Sequence, residues 1–165
     1  MLKAPKFWYY KKDTFYSNIL YPFSLLFRFG TKFHNLFSIK KLSPIPTICI
    51  GNIVVGGAGK TPVSMKICKM LTKAGYKPHF ISKGYSGTIK ESTLVETWHS
   101  PKSVGDESLL LSEIASTWIG INRIKSANLA KKNGADCLIM DDGFQNPSIS
   151  KDFSIIVIDG EQEFG

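Results

Sequence analysis

From position 47 to position 62 the chain reads TICIGNIVVGGAGKTP: an apolar run, a cluster of glycines, then Lys60-Thr61 and the start of a helical pattern. Few local structures accommodate that order. The glycines let successive backbone N–H groups turn toward one centre, and a helix starting at Lys60 aims the positive end of its dipole at the same point. The product is a cradle for phosphate, with Lys60 reaching the β- and γ-phosphates and the Thr61 hydroxyl holding Mg²⁺. One position departs from the spacing G-x-x-x-x-G-K-[ST], because Val54 stands where the first glycine belongs. Gly56, Gly57, Ala58, Gly59, Lys60 and Thr61 supply the rest. Pro62 falls in the first helical turn, where a missing N–H costs little. The plainer alternative is a glycine turn with a chance Lys-Thr, and the required order of strand, glycines, Lys, Thr and helix speaks against it.

The 165 residues suit one modest domain, and the patterning predicts how it is built. Pro44 and Pro46 precede a first strand at 47–50. Val63, Ile67, Met70 and Leu71 recur at helical spacing from Lys60 to about Lys73, and Gly75 ends the run. Further strands are expected at 79–82, 94–98, 117–119, 136–140 and 153–158. One helix is expected to begin at Gly105-Asp106-Glu107, with Leu109, Leu110, Ile114 and Ala115 facing inward. Another runs from Arg123 to about Lys132 and closes at Asn133-Gly134. Strands alternating with helices imply an α/β fold of the P-loop NTPase kind, a mostly parallel sheet with helices on both faces. Ligands of such sheets bind beyond the carboxyl ends of the strands. The clusters at 83–87, 141–143 and 159–160 each follow a predicted strand.

The run Cys137-Leu138-Ile139-Met140-Asp141-Asp142 reads as the acidic strand of a nucleotide site, of the Walker B kind. It delivers a carboxylate to the sheet edge, where Asp141 or Asp142 can hold Mg²⁺ directly or through water. Two adjacent acids suggest one on the metal and one orienting a ligand. Asp106 is open to two readings. It can cap the helix that follows, or it can accept a proton from a substrate hydroxyl; by pattern alone the cap is favoured. Cys49, Cys68 and Cys137 sit far apart in apolar stretches, with no CxxC and no paired histidine, and read as buried reduced thiols.

The net charge of +8 is unevenly placed. Residues 1–41 carry eight Lys or Arg against Asp13 alone, while the other 124 residues carry 13 basic and 12 acidic groups. Twelve of the chain's 20 aromatic residues lie between Phe7 and Phe37. The longest apolar run there, 19–27, is about half what a membrane span needs and contains Pro22. No compact signal-peptide core with a small-residue cleavage site is evident. An amphipathic helix lying at an anionic membrane surface fits best. A helix packed on the domain is the bland alternative. Nucleic-acid binding is disfavoured because Ile19, Leu20, Leu25, Leu26 and Leu36 suit lipid better than bases. The expected organisation is a membrane-surface segment at 1–43 and a nucleotide-binding lobe at 44–165.

Taken together, several motifs resemble the tetraacyldisaccharide 4'-kinases of lipid A biosynthesis. They are Gly51-Asn52 with 56–62, Ser82-Lys83-Gly84-Tyr85-Ser86-Gly87, Val104-Gly105-Asp106-Glu107, Arg123, Asp141-Asp142-Gly143-Phe144-Gln145, and Asp159-Gly160 with Phe164-Gly165. Ala4-Pro5 with Phe7-Trp8 before an aromatic segment is similar too, so the resemblance covers essentially the whole chain, and the missing first glycine becomes a family trait. It implies an Mg²⁺-dependent kinase, peripheral on the cytoplasmic face of the bacterial inner membrane. Such a kinase moves the γ-phosphate of ATP to the 4'-hydroxyl of an acylated disaccharide 1-phosphate, giving lipid IVA. It also implies Asp106 as the catalytic base, Asp141 and Asp142 in Mg²⁺ binding and catalysis, and Lys83, Arg123 and Gln145 as candidates for contact with substrate or phosphate.

The chain departs from the family pattern in places. Lys83 stands for an Arg and keeps the charge but not the bidentate fork. Ser86 replaces a Gly, Asn146 a His, and Gln162 an Arg in the motif that ends at Gly165. The family is about twice as long. The resemblance therefore implies a second, C-terminal lobe that closes over the nucleotide and supplies a His partner to the catalytic Asp, encoded separately or missing from a truncated chain. The other readings are a membrane-recruited P-loop ATPase switch, which Val55 in place of a second Lys argues against, and a non-catalytic remnant of the kinase.

Overall fold

A computed structural model describes Tyr21, Pro22, Ser24, Leu25 and residues 41–52 and 59–158. Most of the expected amphipathic segment, the loop residues Gly56, Gly57 and Ala58, and the 159–165 motif lie outside the described residues.

Among the described residues from 41 on, ten elements follow in order: β1 (Thr47–Gly51), α1 (Lys60–Lys73), β2 (Pro78–Ser82), β3 (Thr93–Leu94), α2 (Pro101–Val104), α3 (Asp106–Ser112), β4 (Thr117–Ile119), α4 (Arg123–Lys132), β5 (Cys137–Asp141) and β6 (Phe153–Ile156). They form one six-stranded sheet in the order β3-β4-β2-β5-β1-β6. All neighbours are parallel except β3, which runs antiparallel to β4 at one edge.

Alternation along the strands divides the core into two layers. Cys49, Ile81, Leu138 and Met140 face Ala127 and Ala130 of α4. Ile50, Phe80 and Ile139 face Cys68 of α1 and Leu111 of α3. The near-continuous apolar runs in β2 and β5 are what a strand covered on both faces requires. The three cysteines are buried and free, and burial pushes the Cys137 thiol up to about 12. The β1–β5 register sets Ile50 beside Asp141. The chain leaving β1 and the acids ending β5 therefore emerge side by side at the carboxyl edge.

The helices start and stop where their residues dictate. Asn122 caps α4, its side-chain oxygen accepting from Lys125 N at 3.1 Å. Gly75 and Gly134 take φ of 90° and 89° just beyond α1 and α4, the left-handed turn that ends a helix without steric penalty.

Three expectations need correction. The inward face expected for α3 holds at Leu109, Ile114 and Ala115, which are half-buried against the core, but fails at Leu110, whose place is taken by Leu111. Ser108 and Leu111 are buried, whereas Leu110 is 48% exposed. The helix has seven residues and ends before Ile114 and Ala115, so its one buried stripe runs i to i+3. The strand expected at 94–98 shrinks to Thr93–Leu94, because its partner β4 has only three residues and the chain turns at once, His99 N donating to Glu96 O at 3.0 Å. The short helix α2 was not foreseen, although Pro101 as its first residue is the sequence signal for it.

The two leucines test which of the adjacent apolar positions on α3 is buried. Leu111→Ala is expected to cost about 2–5 kcal/mol and Leu110→Ala under about 0.5 kcal/mol. Urea unfolding midpoints measure both.

Candidate active site

The centre of the site is Asp141, the last residue of β5 and 2% exposed. Helix α1 begins in front of it. Thr61 Oγ1 donates to Asp141 Oδ2 at 3.2 Å, and Ser64 Oγ donates to Oδ1 at 2.7 Å. Asp142 reaches the same helix by an unusual route. Successive strand residues point to opposite faces, but Asp142 adopts a left-handed backbone with φ 53°. Asp is one of the few residues that tolerates this turn. Its carboxylate Oδ1 then lies 3.4 Å from Lys60 Nζ. Lys60 also donates to Asn52 Oδ1 at 3.0 Å, just past β1. One helical turn thus offers a hydroxyl, a cation and a second hydroxyl to two adjacent acids.

Burial holds the Asp141 carboxyl above the usual range; the hydroxyls of Ser64 and Thr61 pull it back, the Asp142 charge pushes it up and Lys60 lowers it. Glu107, in the first turn of α3, is also raised, by burial first and then by the charges of Asp141 and Asp142. Three carboxylates therefore share a neighbourhood with Lys60, and negative charge is in excess. All the available ligands are hard oxygens, which suits Mg²⁺. Among the described residues no three His, Cys, Asp or Glu side chains cluster as a metal cage. Mg²⁺ does not need one, since it commonly takes one or two carboxylates and completes its shell with water and substrate phosphate.

The loops beside this centre interlock. Gly105 has φ 88°, and a Cβ there would collide with the Tyr85 carbonyl oxygen. Gly84, with φ 65°, sits against the Val104 carbonyl. Gly87 N closes the turn on Gly84 O at 2.9 Å, and backbone bonds from Thr88 N to Lys102 O at 3.1 Å and from Ile89 N to Ser103 O at 3.0 Å fasten the 84–89 loop to α2. This clasp fixes where α3 starts. Gly105 occupies the capping position and Asp106 is the first helical residue, with no side-chain cap bond. The helix-cap reading of Asp106 is therefore corrected, and its carboxylate stands exposed at the same edge of the sheet.

The remaining predicted residues divide. Lys83 and Gln145 are exposed, beyond β2 and β5 respectively. Arg123 is 3% exposed, and its Nη1 donates to Ser82 O at 2.7 Å and to Gly120 O. It ties the ends of β2 and β4 together. Burial lowers its pKa to about 10, against an opposing pull from Asp142. Among the described residues no hydrogen bond joins Lys83, Arg123 or Gln145 to Lys60, Thr61 or Asp141. The sequence reading missed Ser64, although its place three residues after Thr61 puts it on the same helical face. Glu107 was noted in its motif without a role.

A carboxyl raised on folding keeps its proton where the unfolded chain has lost it. Stability contributed at Asp141 therefore falls as pH rises from the ordinary carboxylate pKa through the folded one. Asp141→Asn removes that penalty. It is expected to raise Tm at neutral pH, by about 2–4 °C for each kcal/mol relieved in a chain of this size, while weakening Mg²⁺-dependent nucleotide binding. Thermal unfolding across pH checks the sign.

Residues 16–165 match the family described as tetraacyldisaccharide-1-P 4'-kinase, LpxK. The tetraacyldisaccharide 4'-kinases of Paramagnetospirillum magneticum and Gluconobacter oxydans are 45% and 40% identical to the chain, each over 99% of it and 50% of the relative. That of Agrobacterium fabrum is 41% identical over 99% of this chain and 47% of the relative. A crystal structure of LpxK from Aquifex aeolicus in complex with ATP superposes with a TM-score of 0.75 at 30% identity, covering 84% of this chain and 48% of that one. The chain thus spans about half the length of the curated relatives it matches. With 16–165 matched in one continuous stretch, the chain belongs to the tetraacyldisaccharide 4'-kinase family.

Proposed function

We propose that this chain supplies the ATP-binding and catalytic half of a kinase that phosphorylates the 4'-hydroxyl of a tetraacylated disaccharide 1-phosphate, giving lipid IVA. The observation that carries the proposal is the meeting of Lys60, Thr61 and Ser64 of one helix with Asp141 and Asp142 of the neighbouring strand, at distances of 2.7–3.4 Å. Family membership supplies the substrate class, and the ATP complex of the Aquifex aeolicus relative supplies the phosphoryl donor.

In this reading the backbone of Gly56, Gly57, Ala58 and Gly59 cradles the phosphates. Lys60 moves its charge from Asp142 and Asn52 to the β- and γ-phosphates. Thr61 with Asp141 or Asp142 would hold Mg²⁺, which would offset phosphate charge. Asp106 accepts the proton of the 4'-hydroxyl as its oxygen bonds to the γ-phosphorus and the bond to ADP breaks. Lys83 and Gln145 are exposed for contact with substrate, whereas Arg123 braces the ends of β2 and β4 from below.

An acylated substrate stays in a bilayer, so the enzyme works at its surface. The reading places residues 1–41 there, on the cytoplasmic face of the inner membrane. Among the described residues no helix is long and apolar enough to cross a membrane. The family's second half, on this or another polypeptide, closes the site.

Two measurements test the assignment. Lys60→Ala is expected to weaken Mg²⁺–ATP binding about 10–100-fold, the worth of a charge-assisted contact, in titration calorimetry of the chain. Unchanged affinity would remove the cradle. Asp106→Asn is expected to lower phosphoryl transfer about 10²–10⁴-fold with ATP affinity preserved, in a polypeptide carrying both halves of the family's length. Full turnover from residues 1–165 alone would contradict the need for a second half.

A further inference from the structure

On the face of the sheet opposite Asp141, the outer side of α4 carries a second charged feature. An open groove of about 430 Å³ is lined by Lys41, Lys125 and Lys132, with Asn122 and Asn128 between them. All five side chains are exposed. Helix α4 holds four basic residues and no acid in ten positions. Two of the four are engaged elsewhere: Arg123 is buried on backbone carbonyls, and Lys131 Nζ donates to Pro44 O at 3.1 Å. Lys125 and Lys132 are left facing solvent, seven residues apart on the helix. Lys41 joins them because its backbone is fixed, its N donating to Ser148 O at 3.1 Å and its O accepting from Ser150 N at 2.8 Å. Among the described residues none of the three lysines has a salt-bridge partner. The nearby acids Asp136 and Asp152 accept bonds from the backbone of Lys77 and Thr47.

Lys41 is also the point where the basic, aromatic segment at 1–41 joins the described domain. We infer that the α4 groove is a second docking surface for an anionic phospholipid bilayer, with Lys41, Lys125 and Lys132 meeting headgroup phosphates beside the N-terminal segment. The inference rests on the proposal that the enzyme works at a bilayer surface, and it is separable from how the segment itself binds. Three observations favour a bilayer. Lys125 and Lys132 stand two helical turns apart on α4, about 10 Å along its axis, and this spread along an open groove fits a plane of headgroups better than a single soluble anion. Among the described residues no aromatic side chain lines the groove, so these residues offer no stacking platform of the kind single-stranded nucleic acid uses. The covalent link to residues 1–41 lets one contact raise the effective concentration of the other.

The test is vesicle co-sedimentation of the full 165-residue chain, with vesicles of phosphatidylcholine alone and of phosphatidylcholine mixed with phosphatidylglycerol. The double variant Lys125→Ala with Lys132→Ala is expected to lower partitioning onto the anionic vesicles roughly 25-fold, about fivefold for each lysine, and to leave binding to neutral vesicles and Tm unchanged. Lys69→Ala with Lys73→Ala, exposed on α1 across the sheet, is the control and should change nothing. Trp8→Ser with Phe15→Ser reads the segment separately and should weaken binding to both kinds of vesicle. If that variant weakens binding while the α4 variant does not, the groove is no docking surface and the segment reading stands. If the α4 variant alone weakens binding, the groove stands and the segment reading falls. No binding of the unaltered chain to anionic vesicles overturns both. Preferential binding to single-stranded RNA through the same lysines overturns the bilayer as occupant.

Discussion

A carboxylate buried at the end of a central strand is the constraint around which the site is arranged. Asp141 is 2% exposed and leans on two hydroxyls of α1. An unpaired buried charge is expensive, so the helix must begin where Thr61 and Ser64 can reach it. That fixes how α1 crosses the sheet, and hence where the glycine loop before it must turn. The parallel pairing of β1 with β5, Ile50 beside Asp141, brings the two ends of this arrangement together. The same geometry leaves the carboxyl raised and negative charge in excess, so the protein alone is not at its electrostatic optimum. A divalent cation with phosphate would complete it. The stability given up at Asp141 is the familiar cost of a site built for a ligand.

A second group of constraints acts through the backbone. The left-handed turn at Asp142 lets both acids of the pair address one helix end, which an unbroken strand forbids. The clasp of Gly84, Gly87 and Gly105 against neighbouring carbonyls sets the first residue of α3 and so the position of Asp106. Arg123 ties β2 to β4 from below. These devices lie at the carboxyl edge of one sheet, whereas the basic face of α4 lies on its far side. The domain thus separates phosphate chemistry from the surface proposed to meet lipid.

Much of this was readable from residues. The order of apolar run, glycines and Lys60-Thr61 fixes a strand–loop–helix unit, and α1 and α4 begin and end where their caps and glycines say. The acidic end of β5 was equally plain, because an apolar run delivering two acids has few other uses. Harder to read were features set by tertiary contact. Leu110 and Leu111 are equally apolar, and only the packing of a seven-residue helix against Phe80 and Ile139 decides which is buried. Asp106 had the composition of a cap, but the Gly105 backbone takes that place because Tyr85 crowds it. Glu107 joins the acid cluster through the packing of α3 against β2, β4 and α1, which no local pattern encodes.

The central claim is that Thr61 and Asp141 act as one unit in holding a metal–nucleotide complex. A double-mutant cycle on Thr61→Ala and Asp141→Asn, read out as the Mg²⁺-dependent part of ATP affinity, tests it most directly. The account predicts strong non-additivity, with the double variant scarcely weaker than either single one and a coupling of at least about 1 kcal/mol. Effects that simply add would contradict it, since the two side chains would then be serving the nucleotide independently or not at all.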